Sequence, residues 1–147
     1  MLVVPVYYFD TSALVKRYHV EAGSGVVDSL FADPEAVFLT ANITLAELTS
    51  ALARNLQQGL ITRLTLDRAL SVVARDLLED FWLIDLDRTH VLSSQGLILT
   101  YRLRTLDALH LAVLLTLREL APIRVCSDQR LIDAAQRERL SALNPAG

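Results

Sequence analysis

Thiols and amines are almost missing from this chain: Cys126 is the only cysteine and Lys16 the only lysine among 147 residues. A single thiol excludes an internal disulfide and any thiolate metal cluster, and it suits a reducing compartment, so cytoplasmic residence is the expectation. With one lysine, nearly all positive charge is arginine, the side chain better shaped for two-pronged phosphate contacts. A net charge of −3 and a pI near 5.5 argue against a protein that coats nucleic acid through bulk positive charge. They still allow an enzyme that handles a polyanion at one local cleft. Every apolar run is broken by Arg, Asp, Thr or His before the roughly 18 residues a membrane span requires, and no basic segment leads into a signal-peptide core. There is no internal repeat, low-complexity tract or Pro/Ser-rich linker, so one domain over residues 1–147 is expected.

What the chain has in surplus is apolar surface. Hydrophobic residues make up 52% and the mean hydropathy is +0.36, on the high side for this size. The length supports a core without staples, and part of the surplus is expected to be buried against a partner. Short β-branched or aromatic runs occur at 6–9, 37–40, 81–85 and 123–126, with a weaker one near 140–143. Pro5 marks the start of the first, since proline inside a central strand forfeits a ladder bond. Between them lie segments of helical period. Leu45, Leu48, Leu52 and Leu56 form a stripe ended by Gly59, and Leu66, Leu70, Val73 and Leu77 form another. Residues 108–117 are apolar on nearly every side, the signature of a helix buried among neighbours. Strands alternating with such helices predict an α/β fold, with a mainly parallel sheet of four or five strands covered on both faces.

In such a sheet the ligand site lies beyond the carboxyl ends of the strands, where strand order reverses. Asp10 ends the first run, in YYFDTSALVK, and Asp128 follows the fourth, in IRVCSD, so both fall on that rim. Each acid also has an ordinary reading. Asp10, Thr11 or Ser12 suits the cap of the next helix, as does Ser127 or Asp128. Asp107 sits in a first helical turn, where the helix dipole favours a negative charge. Glu47 falls opposite its helix's leucine stripe, where a solvated glutamate is natural. His110, three residues after Asp107, is expected as a core histidine bonded to a neighbour, with a mixed metal site as the alternative. Tyr7, Tyr8, Phe9 and Trp82 are expected in the core.

The segments YYFDTSALVKRY, ITLAELTSAL, YRLRTLDALHLA and VCSDQRLIDAA, in that order and spacing, resemble PIN-domain ribonucleases, particularly the toxins of VapBC-type toxin–antitoxin pairs. EAGSG after the first helix and the closing Leu-Asn-Pro extend the similarity nearly end to end. The resemblance implies a single PIN-like domain and a metal site of Asp10, Glu47, Asp107 and Asp128, with Ser12 as the hydroxyl of the first motif. It is the resemblance that brings Glu47 into that set. It implies Mg²⁺ or Mn²⁺ as cofactor, RNA as substrate, products ending in 5′-phosphate and 3′-hydroxyl, a small antitoxin as partner and a homodimer as assembly.

Physical chemistry supports such a set. Two carboxylates about 4 Å apart repel by on the order of 4 kcal/mol at an effective dielectric near 20, and a divalent cation removes that conflict. Oxygen-only ligands suit Mg²⁺ or Mn²⁺, which can activate water, hold a phosphate for in-line attack and neutralise the leaving oxygen. Asp10 and Asp128 are expected as the most direct ligands, Glu47 and Asp107 as ligands or water-orienting groups, and Ser12 as a hydrogen-bond partner of a carboxylate or water. Arg102, Arg104 and Arg130, with Lys16 and Arg17, are candidates for RNA contact. Two other readings remain: a PIN fold kept only for binding, and a receiver-like Mg²⁺-binding signalling domain. The receiver fits less well, because Asp10 lacks an acidic neighbour and no lysine follows the last strand.

Overall fold

The computed structural model describes residues 3–147. Five strands, β1 (Val6–Phe9), β2 (Val37–Ala41), β3 (Phe81–Ile84), β4 (Ile123–Val125) and β5 (Ser141–Leu143), form one sheet in the order β3-β2-β1-β4-β5. Every pairing is parallel. The chain moves outward from β1 to β3, then returns to place β4 on the other side of β1. That reversal opens a crevice beyond the carboxyl ends of β1 and β4.

The helices are α1 (Thr11–Leu14, continued by a 3₁₀ turn over Val15–Arg17), α2 (Ser24–Phe31), α3 (Ile43–Gln57), α4 (Arg63–Glu79), α5 (Arg88–Tyr101), α6 (Thr105–Thr116) and α7 (Gln129–Arg137). Alternation along the strands sorts two cores. Phe9 and Phe38 point toward the helices α1 to α4, whereas Tyr8 and Leu39 point toward α5 to α7. The ends of the helices are chemically marked. Thr62 accepts the Thr65 N–H at the start of α4 (3.1 Å), and Asp87 and His90 form a reciprocal capping box on α5. Gly59 stops α3 with φ +74°. Gly23 has φ +93°, and a Cβ there would lie 2.9 Å from the carbonyl carbon of Pro145. The EAGSG turn therefore packs directly on the closing Asn-Pro segment, which needs glycine for both conformation and space.

Two expectations are corrected and one helix was missed. Trp82 is 65% exposed, because it pairs with Leu39 on edge strand β3, where that face is left uncovered. Leu45 is 42% exposed and Thr44 takes the inward position, bonded to Thr40 at 2.7 Å. Helix α5 was not legible at all: Ser93, Ser94 and Gly96 interrupt its centre, and Val91, Leu92 and Leu99 are exposed, so its apolar residues form no single stripe. Among the described residues no helix is long and apolar enough to cross a membrane.

Candidate active site

Asp10 occupies the N-cap position of α1, and its backbone carbonyl accepts the N–H groups of Ala13 and Leu14. Its side chain makes no cap bond. Both carboxylate oxygens instead face Arg124 of β4, whose Nε donates to Oδ2 at 2.9 Å and Nη2 to Oδ1 at 3.2 Å. Arg124 is the register partner of Tyr8 and is wholly buried. Burial pushes its pKa down, but the adjacent Asp10 carboxylate outweighs that and the net direction is upward, so the guanidinium keeps its charge.

Glu47 reaches the same rim from α3. Its Oε1 accepts the Thr11 hydroxyl at 3.0 Å and lies 2.6 Å from Nε2 of His110. The other ring nitrogen, Nδ1, is 2.8 Å from the Tyr8 hydroxyl and 3.8 Å from Asp10 Oδ1. Burial, then the Asp10 charge, raise the Tyr8 pKa well above its ordinary value, so the phenol keeps its proton. A protonated Tyr8 donating to Nδ1 leaves the imidazole proton on Nε2, where it is given to Glu47; this tautomer follows from the network. His110 is thus the bonded core histidine the sequence suggested. Its partner is an acid of the site.

Asp107, in the first turn of α6, takes a 3.2 Å contact from Arg104 Nε. Asp128 caps α7 by accepting the Arg130 N–H at 2.9 Å. Arg104 links this pair, because its Nη2 lies 3.9 Å from Asp128 Oδ2. Ser12 Oγ accepts the Ser127 N–H at 3.2 Å, pinning α1 to the loop that carries Asp128. The bond uses the Ser12 oxygen as acceptor and leaves the hydroxyl proton to donate.

A cleft of about 850 Å³ is lined by Asp10, Ser12, Glu47, Asp107 and His110, with Arg54 and Arg104 also contributing. Asp128 stands beside this lining, tied to it through Arg104. Four remote segments therefore meet at the crevice where strand order reverses. The basic candidates divide. Arg104 lines the cleft and Arg130 lies 3.7 Å from Asp128, while Arg102 caps the end of α5 with φ +54° and is not part of the lining. Lys16 is buried in a 2.9 Å ion pair with Glu21, and Arg17 lies over Phe31, so neither serves the cleft. What sequence reasoning missed is Arg124 as the partner of Asp10 and Thr11 as the partner of Glu47. No periodic pattern singles them out.

The donor set is all oxygen, which fits a hard divalent cation. Among the described residues, no three His, Cys, Asp or Glu side chains stand as one ready coordination cluster. Mg²⁺ does not need one, since it commonly takes one or two carboxylates and completes its shell with water and substrate phosphate. The residues present therefore fit such an ion in kind.

A family model for the PIN domain matches residues 7–137. The chain belongs to the PIN domain family. This PIN domain is 30% identical over 132 residues to Ribonuclease VapC45 of Mycobacterium tuberculosis, covering 87% of this chain and 88% of that protein. Its fold is similar to that of the sarcin-ricin loop cleaving toxin VapC20 of M. tuberculosis, at a TM-score of 0.68 and 18% identity, covering 88% and 94% of the two chains. It is also similar to VapBC2 of Rickettsia felis bound to a promoter DNA fragment, at a TM-score of 0.66 and 14% identity, covering 95% and 98%. PIN-domain nucleases of the VapC type are generally dependent on a divalent metal.

Proposed function

We propose that this PIN domain is an endoribonuclease using Mg²⁺ or Mn²⁺, and that it is the toxin of a toxin–antitoxin pair working in the cytoplasm. The carrying observation is the single cleft in which Asp10, Glu47 and Asp107 meet beside Asp128. Asp10 and Asp128 are the most direct metal ligands of this reading, with Glu47 and Asp107 completing the set or orienting the attacking water. A bound ion supplies Lewis acidity and a counter-charge for the phosphate and the leaving oxygen. The remaining work falls to the chain. Thr11 and the Tyr8–His110 pair fix Glu47 in one orientation, so no reorganisation is needed at the moment of attack. Arg104, largely exposed, can leave its acids for the RNA backbone. Ser12 holds the α1 rim against the Asp128 loop.

The partner is a small antitoxin whose C-terminal segment crosses this cleft, with a basic residue among the acids. The chain self-associates as a homodimer; exposed Leu78, Leu99 and Trp82 supply apolar surface for it. A strict monomer at micromolar concentration in light scattering would remove that part.

The test is incubation of total RNA with the purified protein and an Asp107→Asn control, in Mg²⁺ or Mn²⁺ and in EDTA, followed by end mapping. Metal-dependent cuts leaving 5′-phosphate and lost in the control support the reading. Intact RNA, or cutting that persists in Asp107→Asn, defeats it and favours a PIN fold kept only for binding.

A further inference from the structure

Arg124 has no role in the reading above, yet it is the most anomalous group in the molecule. It is a full positive charge with 0% exposure on a central strand of the sheet. Its only ion-pair partner among the described residues is Asp10, which is itself 3% exposed. Nη1 is buried without a hydrogen-bond partner among the described residues, so Asp10 carries nearly all the compensation for that charge. The converse also holds. Without Arg124, the Asp10 carboxylate would be buried with, among the described residues, only the 3.8 Å His110 contact beside it.

We propose that Arg124 is a positioning residue and the built-in counter-ion of Asp10, occupying in the metal-free protein the electrostatic role that a divalent cation takes in the loaded one. The proposal rests on the metal-site reading above. Two consequences follow from charge alone. First, Asp10 and Arg124 are tolerated in the interior only together, so Asp10→Asn strips a buried guanidinium of its partner and damages the fold along with the site. Loss of activity in that variant therefore does not by itself report metal ligation. Second, Arg124 competes with the metal for the same carboxylate, so removing it makes Asp10 a stronger metal ligand.

The experiment is a double-mutant cycle over Asp10→Asn, Arg124→Met and the two together, with melting in chelator and Mn²⁺ binding by calorimetry. In chelator, each single variant is expected to melt roughly 10 °C below the parent, and the double variant to regain at least about half of that loss. A double variant as unstable as the sum of the singles overturns the pairing. In the second arm, Arg124→Met is expected to bind Mn²⁺ roughly tenfold more tightly than the parent, whereas Arg124→Lys, which keeps the charge, is not. Should Arg124→Met fail to fold in chelator, its recovery by Mn²⁺ and not by equal ionic strength of NaCl reads the same competition. Equal or weaker Mn²⁺ binding by Arg124→Met overturns the counter-ion role, because a residue that is merely structural would lower stability without tightening the metal. A parent that binds no Mn²⁺ overturns the metal reading and the competition together, while the chelator arm still decides the pair.

Discussion

On one face of the sheet all four phenylalanines of the chain meet; on the other, a guanidinium, a carboxylate and an imidazole are buried among aliphatic side chains. Phe9, Phe31, Phe38 and Phe81 lie with ring centroids between 4.5 and 6.2 Å apart, packed with Leu48, Leu52, Val73 and Leu77. The buried acid on that side, Asp76, lies in the last turn of α4. It accepts the Tyr18 hydroxyl at 2.9 Å and faces Arg75 at 3.2 Å, so its charge has near partners. The opposite face carries Tyr8 and Arg124 on neighbouring strands, with Asp10 at the end of β1 and His110 reaching them from α6. Aromatic packing of the first kind contributes stability outright. Buried charges of the second kind contribute little net stability. Their use is geometric: they hold two acids of the cleft in fixed orientations. The first face anchors the fold and the second aims the site.

That contrast can be broken most severely from the aromatic side. Phe38→Ala removes a ring in contact with Phe9, Phe31 and Phe81 and is expected to cost about 3 to 5 kcal/mol in urea unfolding, with the Mn²⁺ effect on melting unchanged. A changed metal effect would show that the faces are not separable. From the cleft, Asp107→Asn is expected to cost roughly a hundredfold in RNA cleavage, on the order of 3 kcal/mol of transition-state stabilisation, with no large change in melting. Loss of folding instead would make Asp107 structural. A smaller effect is expected for His110→Gln, which gives Tyr8 no ring nitrogen and loosens Glu47. Cleavage should fall roughly tenfold, the usual scale for a group that orients a ligand, and an unchanged rate would take His110 out of the site.

The smallest effect concerns pH. Burial, reinforced by the Asp10 charge, pushes the Cys126 thiol from its ordinary 9.0 up to about 12. The folded state therefore holds this proton more tightly than the unfolded chain. The associated stability is fully present below about pH 9 and is lost as pH rises toward about 12. Cys126→Val is expected to flatten the alkaline fall in melting temperature over that window. An identical slope in both proteins would show that the thiol does not contribute.

Much of the fold was written locally. Val6–Phe9 as a strand, Gly59 as a stop and the nearly all-apolar character of residues 108–117 follow from period and turn chemistry, which depend only on near neighbours in the chain. The site was legible only in part. Asp128 as a cap and Asp107 in a first turn can be read from position. That the Asp10 side chain turns away from its helix cannot be, because Arg124 lies 114 residues further on and reads as one polar residue in a short strand. Glu47 shows the same limit. Its helical wheel gives a solvent face, and only α6 crossing opposite, with His110, makes that face one side of a cleft.

The most direct measurement is an anomalous difference map at the manganese edge from crystals soaked in MnCl₂. The account predicts a peak in the cleft touching Asp10 and at least one of Glu47, Asp107 and Asp128. An empty cleft, or a peak only at a site remote from Asp10, would contradict it.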